Sequence, residues 1–131
     1  MIVVDASALV AIGDDEPERA AMLTALQGDE RVIGSMNYVE AGLILIGRRR
    51  LQNKPDFDEW LAGLDIAVRP TDDLADLALE AYLTFGRSYH RARLNLGDCF
   101  AYALAKRLDA PLLYIGNDFP HTDIRPAYQP T

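Results

Sequence analysis

The sequence predicts an α/β protein built on a mainly parallel sheet, with helices covering both faces. Two observations predict it. Short apolar, strand-like runs alternate with helical patterns along the whole chain, an order that yields right-handed crossovers between parallel strands. The first run, Ile2-Val3-Val4, is apolar without alternation, as in a strand buried on both faces. This strand is expected over 2–5. Ser7 is positioned to cap a short helix over 8–12, which Gly13 to Pro17 breaks. Pro17 suits the first turn of a second helix over 17–27, with Ala20, Leu23 and Leu26 on one face. A second strand is expected at 32–35. A third helix starts near Asn37 and runs to about Arg50, with Val39, Leu43 and Ile46 at helical spacing. Phe57, Trp60, Leu61 and Leu64 follow the i, i+3, i+4, i+7 pattern of a fourth. A third strand at 66–68 is stopped by Pro70. Thr71 or Asp72 caps a long helix reaching Phe85, and a loop carries Arg87 to Arg93. Asn95 caps the last helix, with Phe100, Ala103, Leu104 and Leu108 inward. A fourth strand is expected at 112–115 and a short fifth at 123–125. The closing "RPAYQPT" reads as a loosely held tail.

A chain of 131 residues, half of them hydrophobic, fits one domain over 1–131 with its own core. No apolar stretch approaches the roughly 18 residues that span a bilayer. The N-terminus lacks the basic segment of a signal peptide. Cys99 is the only cysteine, so no intrachain disulfide forms, which suits a cytoplasmic protein. Two histidines and one cysteine are too few for a zinc site. Neither GxxxxGK nor GxGxxG occurs, so no nucleotide cofactor is indicated. The net charge of −7 argues against a nucleic-acid partner only if the charges are mixed, and they are segregated. Acids gather in "GDDEPE", "DFDE" and "DDLAD". Bases gather in "GRRRLQNK" and in "GRSYHRARLNLG", where Arg87, Arg91 and Arg93 have no acid among them. Such stretches serve either as a phosphate-binding surface or as solvated helix ends.

Four acids lie far apart at transitions between elements: Asp5 after the first strand, Glu40 in the third helix, Asp98 at the start of the last helix, and Asp118 in the turn after the last clear strand. A parallel sheet collects its ligand groups at the carboxyl ends of its strands. Acids gathered there repel one another, and a hard cation such as Mg²⁺ or Mn²⁺ relieves that cost through oxygen ligands. The pattern points to a metal-dependent nuclease. Structural roles compete at each position. Asp5 can cap the first helix, although Ser7 can take that task and free Asp5, leaving Ser7 to orient it. Asn37 with Glu40, and Asn95 with Asp98, have capping-box spacing. Turn chemistry accounts for Asn117 and Asp118, which are alternatives for one role. The rival chemistries fit less well. An aspartyl phosphatase wants a second Asp where Ser7 stands, and a phosphate-accepting signalling domain wants a neighbouring acid pair that "VVDAS" lacks.

Together "MIVVDASALVAI", "YVEAGLIL" and "HRARLNLGDCFAYALAKRLDAPLLYIGNDFPHTDI" resemble the PIN-domain family, in particular the VapC-type toxins of toxin–antitoxin pairs, over nearly the whole chain. "LNLGDCFAYALA" is the most specific part. Many relatives carry an acid two positions before the final Asp, where this chain has Gly116. The resemblance implies a three-layer α/β/α fold and Mg²⁺- or Mn²⁺-dependent RNA cleavage, with Asp5, Glu40, Asp98 and Asp118 at the metal, Ser7 and Asn117 assisting, and Arg87, Arg91 and Arg93 on RNA. It also implies a homodimer and a VapB-type antitoxin, for which the Trp60, Leu61 and Leu64 stripe offers a groove wall. The alternative is a non-catalytic RNA- or antitoxin-binding module on the same fold.

Overall fold

The computed structural model describes residues 1–130 and places a four-stranded, all-parallel sheet at the centre, in the order β3-β2-β1-β4. Its strands are β1 (Ile2–Val4), β2 (Arg31–Gly34), β3 (Ile66–Arg69) and β4 (Leu112–Leu113). The helices are α1 (Ala6–Gly13), α2 (Arg19–Ala25), α3 (Ser35–Gly47), α4 (Lys54–Gly63), α5 (Ala75–Phe85) and α6 (Leu96–Leu108). Strand alternation sorts the apolar side chains onto two faces. Val3, Val32 and Leu112 join Ala78, Ala81, Cys99 and Leu104 in one core. Ile2, Val4, Ile33, Ile66 and Leu113 join Leu9, Met22, Leu45 and Phe57 in the other. The result is the expected three-layer α/β/α arrangement, with α5 and α6 on one face and α1 to α4 on the other.

This topology fixes where a site can form. From β1 the chain moves through α1 and α2 to β2, and from β2 through α3 and α4 to the edge strand β3. It then returns across the sheet through α5 and α6 to β4, on the far side of β1. Strand order therefore reverses between β1 and β4, and a crevice opens at their carboxyl ends. Two bonds knit that point: Asp5 N–H donates to Leu113 O at 2.9 Å, and Ile115 N–H donates to Ser7 Oγ at 3.0 Å.

Several local expectations are corrected. The third helix begins at Ser35, directly after β2 and capped by Gly34, and ends at Gly47. Asn37 is thus inside the helix and caps nothing. No strand forms at 123–125. Instead Arg125 to Ala127 run beside β4, with Leu112 N–H donating to Arg125 O and Ala127 N–H to Leu112 O. The start of the expected loose tail is therefore tied to the sheet edge. No helix among the described residues is long and apolar enough to cross a membrane.

Candidate metal and phosphodiester site

Asp5 ends β1 and is also the N-cap of α1, a task expected of Ser7. Its Oδ2 accepts Ser7 N–H at 3.0 Å and Ser7 Oγ–H at 2.6 Å. Ser7 thus holds the carboxylate from below while receiving Ile115 N–H from the end of β4. Capping and site duty are compatible here because the cap sits at the crevice. Asp5 is 4% exposed. Burial drives its carboxyl up to about 6 against the two Ser7 bonds, and the nearby Glu40 charge adds to the rise.

Asp98 lies in the first turn of α6 and closes a genuine capping box with Asn95: Asp98 N–H donates to Asn95 Oδ1 at 2.8 Å, and Asn95 N–H to Asp98 Oδ2 at 3.1 Å. Burial raises its carboxyl to about 6; the Asp5 and Asp118 charges push the same way, and the Asn95 bond and Arg87 oppose. Glu40, inside α3, is raised by burial and by Asp98, with Asn37 opposing.

Asp5, Ser7, Glu40, Asn95 and Asp98 line one cleft of about 280 Å³. Three residues behind this grouping were not expected in it. Asn37 is 1% exposed, and its Nδ2 donates to Glu40 Oε1 at 2.8 Å and to Gly97 O at 3.0 Å. Gly97 has no Cβ; one placed there would overlap the Glu40 carboxylate. Glu16, from the acidic "GDDEPE" segment, also lines the cleft. Spacing pairs Asn37 with Glu40 but as a cap, and the places of Gly97 and Glu16 depend on residues distant in sequence.

The remaining candidates are dispersed. Asp118 is exposed and lies outside the cleft lining, but its charge reaches Asp98. Asn117 lines a different cavity. Gly116 holds φ +117°, so an acid at that position would be strained. Arg87, Arg91 and Arg93 are exposed, and none forms an ion pair among the described residues. The other basic stretch is partly neutralised: Arg48 and Arg50 share Asp14 and Lys54 pairs with Asp58, while Arg49 forms no ion pair among the described residues. The α4 stripe is mostly core. Leu61 is buried, and Trp60 packs on Phe57 at 6.2 Å. An apolar groove lies instead between α3 and α4, walled by Tyr38, Val39, Leu43, Ile46 and Phe57.

The donor set suits a hard divalent cation. Asp5 Oδ1, Glu40 Oε2 and Asp98 Oδ1 receive no hydrogen bond among the described residues, so each acid keeps an oxygen available. The raised carboxyls record burial first and mutual repulsion second, and a bound cation would offset both. No three such side chains among the described residues stand close enough to form a finished ligand set. The acids would have to draw together around an ion. Cys99 is fully buried, and its thiol is pushed up to about 12 by burial, so it offers no nucleophile.

Comparison with known proteins identifies the family and the fold. A family model for the PIN domain matches residues 2–125. The chain is 42% identical over 126 residues to the VapC ribonuclease Mb0640 of Mycobacterium bovis, covering 94% of this chain and 95% of that protein. It is 40% identical over 125 residues to the ribonuclease VapC of Mycolicibacterium smegmatis, covering 94% of this chain and 97% of that one. The crystal structure of VapC20 from Mycobacterium tuberculosis, described as a sarcin-ricin loop cleaving toxin, superposes with a TM-score of 0.71 at 18% identity, covering 96% of this chain and all of that one.

Proposed function

The chain belongs to the PIN-domain family, among the VapC ribonucleases, and from that premise we propose that it is the toxin of a toxin–antitoxin pair, a metal-dependent endoribonuclease acting in the cytoplasm as a homodimer. The observation that carries the reading is the convergence of Asp5, Glu40 and Asp98 on one cleft at the sheet's reversal point. Asp5, Asp98 and Glu40 would hold Mg²⁺ or Mn²⁺, with Asp118 joining from the rim. When bound, such an ion supplies charge neutralisation at the phosphate and an acidified water. Ser7 and Asn37 fix the carboxylates of Asp5 and Glu40. Glu40, its carboxyl raised by burial, is suited to accept the proton of the attacking water. In-line attack then leaves a 5′-phosphate and a 3′-hydroxyl. Incubation with total RNA, with Mg²⁺, with Mn²⁺ and with EDTA, followed by end mapping, tests this directly. Cleavage that is indifferent to EDTA would overturn the metal role, and no cleavage under any condition would overturn the nuclease.

Arg87, Arg91 and Arg93 supply the counter-charge for the RNA backbone. Their loop is pinned at its base by Arg87 N–H to Leu94 O at 3.0 Å and Leu94 N–H to Phe85 O at 3.0 Å. Replacing Arg91 and Arg93 together with Gln should weaken binding to single-stranded RNA and lower the salt slope by about 1.4, at roughly 0.7 per phosphate contact. An unchanged slope in a fluorescence-anisotropy titration would reduce the loop to a solvated face.

A VapB-type antitoxin is the expected partner, and the apolar α3–α4 groove fits an amphipathic segment. The exposed Leu79, Leu83 and Leu96 offer a surface for the second copy. Expressed without its partner in a bacterial host, the wild type should arrest growth where Asp5→Asn does not. Equal growth at equal protein levels would count against a toxin.

A further inference from the structure

A second cavity adjoins the cleft and has different chemistry. It measures about 690 Å³, within the range of small-molecule sites. It lies between the end of β4 and the C-terminal segment, and Ile115 lines both it and the acidic cleft. Tyr114 and Tyr128 contribute aromatic walls, and Asn117 and Gln129 contribute amides. Asn117 and Gln129 are exposed. Among the described residues neither amide and neither phenol hydroxyl makes a hydrogen bond within the protein. Among the described residues no Lys, Arg or His lines the cavity, and Glu18 is the one charged side chain.

This lining rejects a phosphate and suits a nucleobase. A phosphate would meet no cation here and would face Glu18. A base presents a flat face that stacks on tyrosine, a contact worth about 1–3 kcal/mol in single-strand binders. Its edge offers donors and acceptors that a side-chain amide can read in pairs. We propose that this cavity is a base-recognition subsite, taking the unpaired nucleobase next to the scissile phosphate held in the acidic cleft. The proposal rests on the ribonuclease reading of that cleft. It divides the labour: the carboxylates act on the backbone without regard to sequence, and the Tyr114–Tyr128 cavity selects where along the strand they act. Glu18 offers acceptors alone; guanine meets its two oxygens with adjacent donors, N1–H and the 2-amino group, whereas adenine, cytosine and uracil each present one donor group. Guanine is therefore favoured.

Two measurements test this on the full-length chain. The Asp5→Asn protein, which holds RNA uncut, is irradiated with single-stranded RNA of random sequence carrying 6-thioguanosine, and the crosslinked peptides are mapped. Crosslinks at Tyr114 or Tyr128 are expected; crosslinks confined to other segments overturn the subsite. In the second measurement, wild type and an Asn117→Ala, Gln129→Ala double variant cut random-sequence RNA, and the product ends are sequenced. The wild type should cut beside a restricted set of bases with guanine most used, and the double variant should lose at least half of that bias while still cutting. A bias unchanged by the double variant, or absent from the wild type, overturns the proposal. Failure of the wild type to cut any RNA overturns the ribonuclease reading instead, and the crosslinking result then decides the subsite on its own.

Discussion

Asp5→Asn should lose RNA cleavage by on the order of 100-fold or more and, in the same protein, gain stability at pH 7.5 in the absence of metal. The two effects share one cause. Asp5 is 4% exposed and its carboxyl is raised from 3.8 to about 6, so the folded state binds the proton more tightly than the unfolded state. The contribution of this group to wild-type stability is therefore full below about pH 4 and is lost as pH rises through 6. Each tenfold difference in proton affinity between the two states is worth about 1.4 kcal/mol, so the loss for this group approaches about 3 kcal/mol. Asparagine keeps an oxygen for Ser7 and does not titrate. The variant should unfold at higher denaturant than wild type at pH 7.5 in EDTA, and the gap should narrow at pH 4.5. Adding Mg²⁺ should stabilise the wild type more than the variant, because only a folded site that binds the ion gains from it. Denaturant curves at the two pH values measure this. A variant that is no more stable at pH 7.5 would show that Asp5 is not held charged at a cost, and a variant that cuts RNA at wild-type rate would remove Asp5 from the chemistry.

Gly97→Ala should abolish most of the activity by a different route. A Cβ at Gly97 overlaps Glu40 Oε1, Oε2 and Cδ. All three atoms are the far end of a flexible side chain, so Glu40 swings away and the backbone stays. Alanine also favours helix over glycine by about 0.5–1 kcal/mol. The expected phenotype is a protein of wild-type stability or better with cleavage reduced on the order of 100-fold, the usual consequence of moving a reacting group by an ångström. Asn37 is displaced with it, since its Nδ2 spans Glu40 and Gly97 O. Thermal unfolding together with a cleavage assay checks both halves. Unimpaired cleavage would mean that Glu40 need not sit where Gly97 permits it.

The layered α/β order and the sites of Asp5 and Asp98 are legible in the sequence because local rules govern them. An apolar run that ends in an acid, and an Asn three residues ahead of an acid at a helix start, are read from neighbours. The Asn37–Glu40 pair misleads for the same reason. Its spacing matches a capping box, but β2 turns into α3 at Gly34 with no intervening loop, so the cap position is already filled and Asn37 is free to brace Glu40. Gly97 and Glu16 give no signal at all. The reason for Gly97 is a carboxylate on another helix, far earlier in the chain. The basic stretches look alike in sequence and differ in the fold, since only Asp14 and Asp58 decide which arginines and lysines are paired. The Trp60, Leu61, Leu64 stripe is helical as expected, but an amphipathic pattern does not distinguish a face turned to the core from one left for a partner.

The seating of β4 beside β1 also has a consequence during synthesis. Asp5 N–H bonds to Leu113 O, and Ser7 Oγ receives Ile115 N–H, so residues made early are completed as a site by residues made 108 positions later. At about 5–20 residues per second, a ribosome spends several seconds producing a chain in which β1, β2 and β3 have been made and no cleft exists. A nascent or prematurely terminated chain that ends before Ile115 has Asp5, Glu40 and even Asp98 but lacks the strand that closes them into one crevice. Formation of the cleft thus waits on Ile115, long after Asp5 and Glu40 have left the ribosome.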